Sequence, residues 1–178
     1  MQYLHYIEES KSWTCPKSGI WKVICVGGGG AGSAHNSNTA SAIGTSGKTT
    51  SFGNYISAVG GISGEDINGG SNHTRVEATP AFGINGYNGA AEYGSPSGDY
   101  IGTGYGASGG AYSKNFLTSN AGLPGSVKST IIDIDEGTSI PCTIGAGGSV
   151  AKTGTDPDTN AWPGKSGAII VQYLGSEM

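Results

Sequence analysis

The amino-acid sequence predicts an all-β protein: a glycine-rich β-sandwich, jelly-roll-like, with a long loop region rich in Gly, Asn, Ser and Tyr. The first observation is the choice of apolar residues, sixteen Ile and seven Val against four Leu. β-Branched side chains fit a pleated sheet. The second is the 34 glycines among 178 residues, because each would cost a helix interior about 1 kcal/mol relative to Ala. We therefore expect no long helix in the glycine-rich parts.

We interpret the chain as one glycine-rich β domain, 1–178, with a framework and an insertion. Residues 1–61 and 126–178 hold the dense β patterns and form the predicted framework. Residues 62–125 are rich in turn signals and form the predicted Gly/Tyr-rich loop insertion. Because long unstructured loops are uncommon in compact domains, we expect this segment to pack on itself or on neighbouring copies, and a polyglycine II-like arrangement is conceivable.

Two kinds of strand are predicted within the framework. The continuous apolar runs VICV and AIIV, at 23–26 and 168–171, are typical of central strands covered on both faces. Alternating patterns over 132–135 and 140–144, joined by a turn at Glu136-Gly137, predict a hairpin. Proline cannot donate to a β-ladder, so Pro141 predicts an edge strand or one whose amide side is uncovered.

Composition excludes several classes of function. The net charge is −4 and the nine Lys and Arg residues are dispersed, so no basic patch for nucleic acid is present. The N-terminal MQYLHYIEESKSW lacks the features of a signal peptide, and no apolar run reaches membrane-spanning length. We expect synthesis in the cytoplasm without a signal peptide and no membrane insertion.

Three cysteines, Cys15, Cys25 and Cys142, form neither a C-x-x-C motif nor an even set. This pattern argues against a disulfide framework and against a zinc site. We expect Cys25 and Cys142 to serve as small buried apolar residues.

Two glycine motifs resemble nucleotide-binding loops. Gly27, Gly29 and Gly32 have the G-x-G-x-x-G spacing, but no helical pattern follows and no Asp or Glu occurs between Glu9 and Glu65. Residues 42–49 fit a relaxed P-loop pattern, yet the next residues read as a strand. We predict no nucleotide at either motif and no cofactor.

Catalytic and metal-binding patterns are sparse, so we predict neither an enzyme nor a metal site. The histidines are scattered, and no G-x-S-x-G elbow is present. The acidic groups fall short of the six or more oxygens that calcium needs. A glycan-cleaving enzyme would need paired carboxylates. The residues concerned are His5, His35 and His73, and the acidic groups Glu65-Asp66, Asp133-Asp135-Glu136 and Asp156-Asp158.

Five of the nine tyrosines lie in the turn-rich middle among Asn, Ser and Gly. This mixture is typical of binding loops, because a Tyr ring gives rigid contact area with a polar tip. The alternative is that the rings cover small hydrophobic clusters beneath the loops. The candidate receptor-binding residues are Tyr87, Tyr93, Tyr100, Tyr105 and Tyr112.

Glycine pairs or runs follow three predicted strands, and we interpret them as structural. We expect the three exits from strands to lie near one another and to permit close backbone contact. The glycines are Gly27, Gly28, Gly29, Gly30, Gly60, Gly61, Gly147 and Gly148.

Four segments, in this order, resemble the glycine-rich domain of bacteriophage tail fibre and tail tip proteins. The first is WTCPKSGIWKVICVGGGGAG at 13–32, an aromatic-Thr-x-Pro opening that leads to a polyglycine run. The others are SFGNYISAVGG at 51–61, VKSTIIDIDEGTSIPCTIGAGG at 127–148, and the closing pattern from Gly164 to Tyr173.

The resemblance implies a structural protein of the virion that acts in host attachment as a tail fibre or tail tip adhesin. Its implied partners are a bacterial surface receptor, either a glycan or an outer protein, and other virion proteins, and its implied form is a homotrimer. The alternative is a capsid or collar decoration protein with a purely architectural role.

Overall fold

The computed structural model describes residues 3–36, 40–64, 104–113, 118–154 and 159–176. These residues form antiparallel β-sheets and contain no helix, so none of the described chain could cross a membrane as a helix. The all-β prediction is confirmed. The strands are β1 Leu4–Ile7, β2 Lys11–Thr14, β3 Gly19–Val26, β4 Ser33–Asn36, β5 Ala40–Gly44, β6 Thr50–Phe52, β7 Ile56–Ala58, β8 Ala111–Ser113, β9 Thr118–Asn120, β10 Val127–Ile134, β11 Ser139–Thr143, β12 Val150–Thr153, β13 Thr159–Ala161 and β14 Ala168–Gly175.

Two four-stranded sheets share one hydrophobic core. We call them sheet A, in the order β1-β14-β3-β10, and sheet B, in the order β2-β11-β6-β7. Apolar residues alternate along most of these strands, so each sheet turns one set of side chains inward. Sheet A contributes Ile7, Trp21, Val23, Cys25, Ile134, Ile169 and Val171, and sheet B contributes Trp13, Phe52, Ala58, Ile140 and Cys142.

Aromatic rings join the two sheets across this core. The ring centroids of Trp13 in sheet B and Trp21 in sheet A lie 5.3 Å apart at 78°. Tyr173 packs against Trp21 from the neighbouring strand at 5.0 Å, and His5 lies edge-on to Trp13 at 5.9 Å. Edge-to-face pairs of this kind contribute about 0.5–1.5 kcal/mol each beyond their buried area.

The two continuous apolar runs form the central strands of sheet A, as predicted. β3 pairs with β14 on one side and with β10 on the other, and β14 also pairs with β1. The four residues 168–171 are all buried. Both faces of this part of β14 are therefore covered.

The predicted hairpin at 132–144 is wrong, although its two strands and its turn are present. β10 belongs to sheet A and β11 to sheet B, so the turn at Glu136-Gly137 connects the sheets. Gly137 has a φ of 81°, which favours glycine. Alternation of apolar and polar residues shows only that each strand turns one face toward a core. Two successive strands alternate in the same way whether they pair with each other or lie in two sheets that share that core.

Pro141 does not lie on an edge strand, because β11 runs between β2 and β6. The pairing with β6 covers only Cys142 and Thr143. The carbonyl of Pro141 accepts a hydrogen bond from the Gly53 N–H at 2.8 Å. The nitrogen of Pro141 lies on the same side of the strand as its carbonyl and faces Gly53, the residue that follows β6, so the edge-strand alternative is wrong and the β11–β6 ladder stops at Cys142.

Three excursions, 27–49, 59–126 and 144–167, leave and re-enter the two sheets at one end. In sheet A, that end is marked by the paired residues Val26, Val127 and Ala168. In sheet B, it is the end at which β6 begins and β7 and β11 end. The sequence set apart only 62–125, so two excursions lie within the segments interpreted as framework.

Candidate functional site: a glycine bundle and its crown

The centre of the candidate site is the extended segment 27–32, which follows β3. Its six backbone N–H groups donate in turn to three neighbouring segments, and each neighbour recurs after three residues. The acceptors are the carbonyls of Ser126, Lys48, Lys165, Leu123, Thr45 and Trp162, at 2.8–3.1 Å.

The carbonyls of the central segment accept hydrogen bonds from three further segments. Gly61 and Gly64 donate to Gly28 and Ala31 with the same three-residue step. Six segments therefore surround 27–32, and hydrogen bonds between neighbours close the ring. We call the seven segments the glycine bundle: 27–32 at the centre, then 45–48, 61–64, 122–125, 106–110, 162–165 and 145–148 in ring order.

The three-residue period identifies the bundle as polyglycine II-like, an arrangement that composition had made conceivable only for 62–125, whereas four of the seven segments lie outside that stretch. A chain of this type has three residues per turn and no internal hydrogen bonds. Its backbone groups must therefore bond to neighbouring chains when they are buried. Residues 26–34 are all buried, so the surrounding segments supply the partners that water would otherwise provide.

Glycine is required in this bundle because side chains would occupy the positions of neighbouring carbonyls. A Cβ atom built on Gly28 or Gly29 would meet the carbonyl of Ala146 or Ala107 closer than real Cβ atoms approach. The three predicted exits lie side by side. Gly61 donates to the carbonyl of Gly28, and Gly148 donates to that of Gly29, both at 2.8 Å.

Neither nucleotide motif is followed by a helix. Gly32 leads directly into β4, and Lys48 precedes β6. The carbonyls of Gly29 and Lys48 accept hydrogen bonds within the bundle. A phosphate site of the Rossmann or P-loop kind needs a helix N-terminus, which these segments do not form.

Six short strands, which we call the crown, lie beyond the bundle. β12, β5, β4 and β9 form one sheet and β13 pairs with β8, so all three excursions are tied together. The interior is made of small residues, with Ala34, Ala42 and Ala111 fully buried. At the surface, Lys152 Nζ donates to Asn160 Oδ1 at 3.0 Å.

The crown also carries His35, one of the three scattered histidines. His35 Nδ1 lies 3.3 Å from Ser41 Oγ across β4 and β5, and Thr153 Oγ1 donates to the Ser41 carbonyl at 3.3 Å. These groups give the crown a polar surface with one described ammonium group, Lys152. The segments that link its strands, 37–39, 114–117 and 155–158, lie outside the described residues.

The described part of the chain separates the candidate tyrosines. Tyr87, Tyr93 and Tyr100 lie outside it. Tyr105 precedes bundle segment 106–110 near the sheets, while Tyr112 lies in β8 of the crown and pairs with Asn160. Bundle segment 106–110 separates the two tyrosines, so they do not form one surface.

Tyr105 has a specific partner. Its hydroxyl donates a short hydrogen bond to Glu8 Oε1, and this bond, with some burial, raises the Tyr105 pKa. Glu8, Tyr105 and Lys165 line a groove at the base of the bundle. The contact joins the second excursion to the segment between β1 and β2.

The remaining candidates for chemistry do not come together. Within the described ranges, no three His, Cys, Asp or Glu side chains are grouped so that they could hold a metal. His5 packs among core aromatic rings, and Asp133, Asp135 and Glu136 are exposed at the end of β10 and in the turn that follows. His73, Glu65-Asp66 and Asp156-Asp158 lie outside the described residues.

All three cysteines are free thiols and buried. The prediction that Cys25 and Cys142 are small buried residues is confirmed. Burial raises the pKa of Cys25 from 9.0 to about 12 and also raises the pKa values of Cys15 and Cys142. Since the thiolate is the reactive form, these thiols are poor nucleophiles.

Tyr55, which was not predicted from the sequence, is 50% exposed at the turn between β6 and β7. The available signal was the string FGNYIS, which has the same mixture of Tyr, Asn, Gly and Ser as the middle of the chain. Lys152 and Asn160 were not predicted either, and composition offered no signal for them.

Comparisons with protein-family models, with curated proteins and with solved structures found no match for this chain.

Proposed function

We propose that the protein is an adhesin of a bacteriophage tail fibre or tail tip, which uses its crown to bind a receptor on the bacterial surface. The observation that supports this function best is the glycine bundle. Seven segments, each with at least one glycine at a close backbone contact, hold three loop excursions together at one end of the molecule. Loops fixed by a rigid scaffold are the usual location of binding residues, and the function requires no catalytic step.

The direction of the strands supports placing the receptor at the crown. β1 begins and β14 ends at the pole away from the bundle, because Leu4 pairs with Gln172 and Ile7 with Ile169. The turn at Glu136-Gly137 lies at that same pole. Attachment to other virion proteins at that pole would leave the crown exposed and able to contact a bacterial surface.

Competition for adsorption tests the proposed function. The purified protein should slow adsorption of the phage that carries it to susceptible cells. Lys152→Ala, in the crown, should reduce this competition, whereas Tyr6→Ala, on the outer face of sheet A, should not. Competition that is absent with the folded oligomeric protein, or equal in the two variants, would contradict the proposed role of the crown.

We also propose that sheets A and B form a jelly-roll-like β-sandwich. Without the six crown strands, eight strands remain, four in each sheet. If these eight strands are counted from 1 to 8 along the chain, the order across sheet A is 1, 8, 3, 6 and the order across sheet B is 2, 7, 4, 5. Eight strands in two sheets joined by Greek-key connections are typical of a jelly roll.

A second candidate function, a capsid or collar decoration protein, is favoured by the outer face of sheet A. Leu4, Tyr6 and Ile131 on this face are 48%, 55% and 51% exposed. Apolar exposure of this kind suits binding to other virion proteins. Gold labelling of intact particles distinguishes the two functions: label at a fibre end supports the adhesin, and label on the head supports decoration.

The proposed oligomer is a homotrimer, by the resemblance to tail fibre proteins. Several copies would strengthen weak receptor contacts through avidity. Light scattering of the purified protein measures its mass directly, and a monomer at micromolar concentration would contradict the trimer.

A further inference from the structure

We propose a second binding site, for a neutral carbohydrate, at Tyr55 on sheet B. The site goes beyond the proposed adhesin function, because it lies away from the crown. The excursions begin at the ends of β6 and β7 that hold Thr50 and Ala58, whereas Tyr55 occupies the turn at their opposite ends.

The ring of Tyr55 is exposed but held in place. Its backbone N–H donates to the Phe52 carbonyl at 3.1 Å, and Gly53 adopts a φ of 50° in the same turn. The ring lies 6.3 Å from that of Phe52, which is fully buried. An exposed ring on a fixed turn offers a flat apolar surface, to which the C–H face of a sugar ring can pack.

Polar groups surround the ring on both sides. Two shallow grooves flank Tyr55 and share Gly53 and Asn54 with it. The first also contains Ser51, Thr138, Ser139 and Thr143 beside Ile140 and Pro141, and the second contains Ser57 and Lys128 beside Ile56. Hydroxyl and amide groups both donate and accept hydrogen bonds, as sugar hydroxyls do.

The chemistry of the first groove favours a neutral ligand. Among its described lining residues there is no charged side chain, and in the second groove Lys128 is the one charged group. The outer face of sheet B next to the grooves carries Ser12, Thr14, Ser139 and Thr143, all exposed. An interface with a protein partner usually has an apolar centre. A sugar needs only one aromatic ring for its C–H face and several hydroxyl groups for its own hydroxyls.

Saturation-transfer NMR tests the site with defined probes: the methyl glycosides and homodisaccharides of glucose, galactose, mannose and N-acetylglucosamine, at millimolar concentration. We expect transfer to the ring C–H protons of at least one probe. Tyr55→Ala should reduce that transfer at least fivefold, and Tyr55→Phe, which keeps the ring, should retain most of it. Tyr6→Ala is the matched control, because Tyr6 is 55% exposed, close to the 50% of Tyr55, but lies on sheet A.

The proposal is overturned if no probe shows transfer, or if transfer persists unchanged in a folded Tyr55→Ala protein. Stronger transfer to the methyl glycoside of sialic acid than to every neutral probe would overturn the neutral class. Failure here is separable from failure of the adhesin function: Lys152→Ala should leave sugar transfer unchanged, and Tyr55→Ala should leave competition by the crown unchanged.

Discussion

Single residues show how a glycine run can be structural without binding a nucleotide. Gly29 donates to the Lys165 carbonyl and accepts from the Gly148 N–H. Its missing side chain leaves room for the backbone of Ala107. The same run matches G-x-G-x-x-G, so the spacing of glycines alone cannot tell a phosphate turn from a bundle of extended chains.

Gly29→Ala should destabilise the protein by about 3 kcal/mol or more, because the new methyl group would overlap the Ala107 carbonyl and backbone cannot move aside as a side chain can. Urea denaturation measures the loss. Gly137→Ala is the control: it has open space and a φ of 81°, so it should cost about 1–2 kcal/mol. Equal losses would contradict the backbone contact at Gly29.

The thiols of the folded protein should resist alkylation. Because Cys25 keeps its proton up to a pKa of about 12, iodoacetamide at pH 8 should label the native protein far more slowly than the urea-unfolded protein. Mass spectrometry counts the added groups. Rapid labelling of Cys25 in the native state would show that the core opens readily.

Stability should fall as the pH rises above about 9. Between pH 9 and 12 the unfolded Cys25 loses its proton while the folded one keeps it, so the native state binds more protons and the free energy of unfolding decreases with pH. Cys25→Ala should flatten this part of the urea-denaturation profile. An unchanged slope in that variant would assign the effect to other groups.

Among the elements, the glycine segments differ from ordinary strands in the directions of their backbone hydrogen bonds, because a β-strand bonds to neighbours on two sides only. Successive N–H groups of the central segment point in three directions, so a flat sheet could not satisfy them. Composition made this arrangement conceivable for 62–125 alone, and it could not identify which six segments surround 27–32. That choice depends on contacts between residues far apart in the sequence.

Amide hydrogen exchange checks the bundle directly. The N–H groups of Gly28, Gly29 and Gly30 are bonded to three different segments and buried, so they should exchange as slowly as that of Val23 in β3. The Asn54 amide, in an exposed turn, should exchange within minutes. Fast exchange at all three glycines would show that the bundle opens independently of the sheets.

The strands were predicted more accurately than their pairing. The central positions of β3 and β14 followed from continuous apolar runs, since only strands covered on both faces need them. The pairing of β10 with β11 was wrong because inward alternation is shared by every strand around one core. The site was predicted least: two of the five tyrosines fall in the described residues, and they lie at opposite ends of the bundle.

For the whole molecule, the bundle and the two sheets should unfold together. Each excursion begins and ends at a framework strand, so loss of the sheets removes the anchors of the bundle. Heating should give one transition, with the same midpoint by far-ultraviolet circular dichroism and by tryptophan fluorescence.

Trp21→Ala should lower the unfolding midpoint equally by circular dichroism and by fluorescence. It should reduce the free energy of unfolding by about 3–5 kcal/mol, because Trp21 is fully buried in the shared core. Leu174→Ala is a matched control at a 46% exposed position on the same sheet and should change the midpoint little. Two separated transitions, with only the later one shifted by Trp21→Ala, would show that the bundle is an independent unit.

The sequence by itself determined the β content, the central strands and the burial of Cys25 and Cys142, because these follow from local patterns of side chains. It also indicated that the glycine exits meet. Tertiary structure alone decided that 27–32 becomes the centre of seven segments and that β10 and β11 separate into two sheets. The physical reason is that polyglycine II-like chains have no hydrogen bonds of their own, so their partners are set by the excursions that the two sheets bring together.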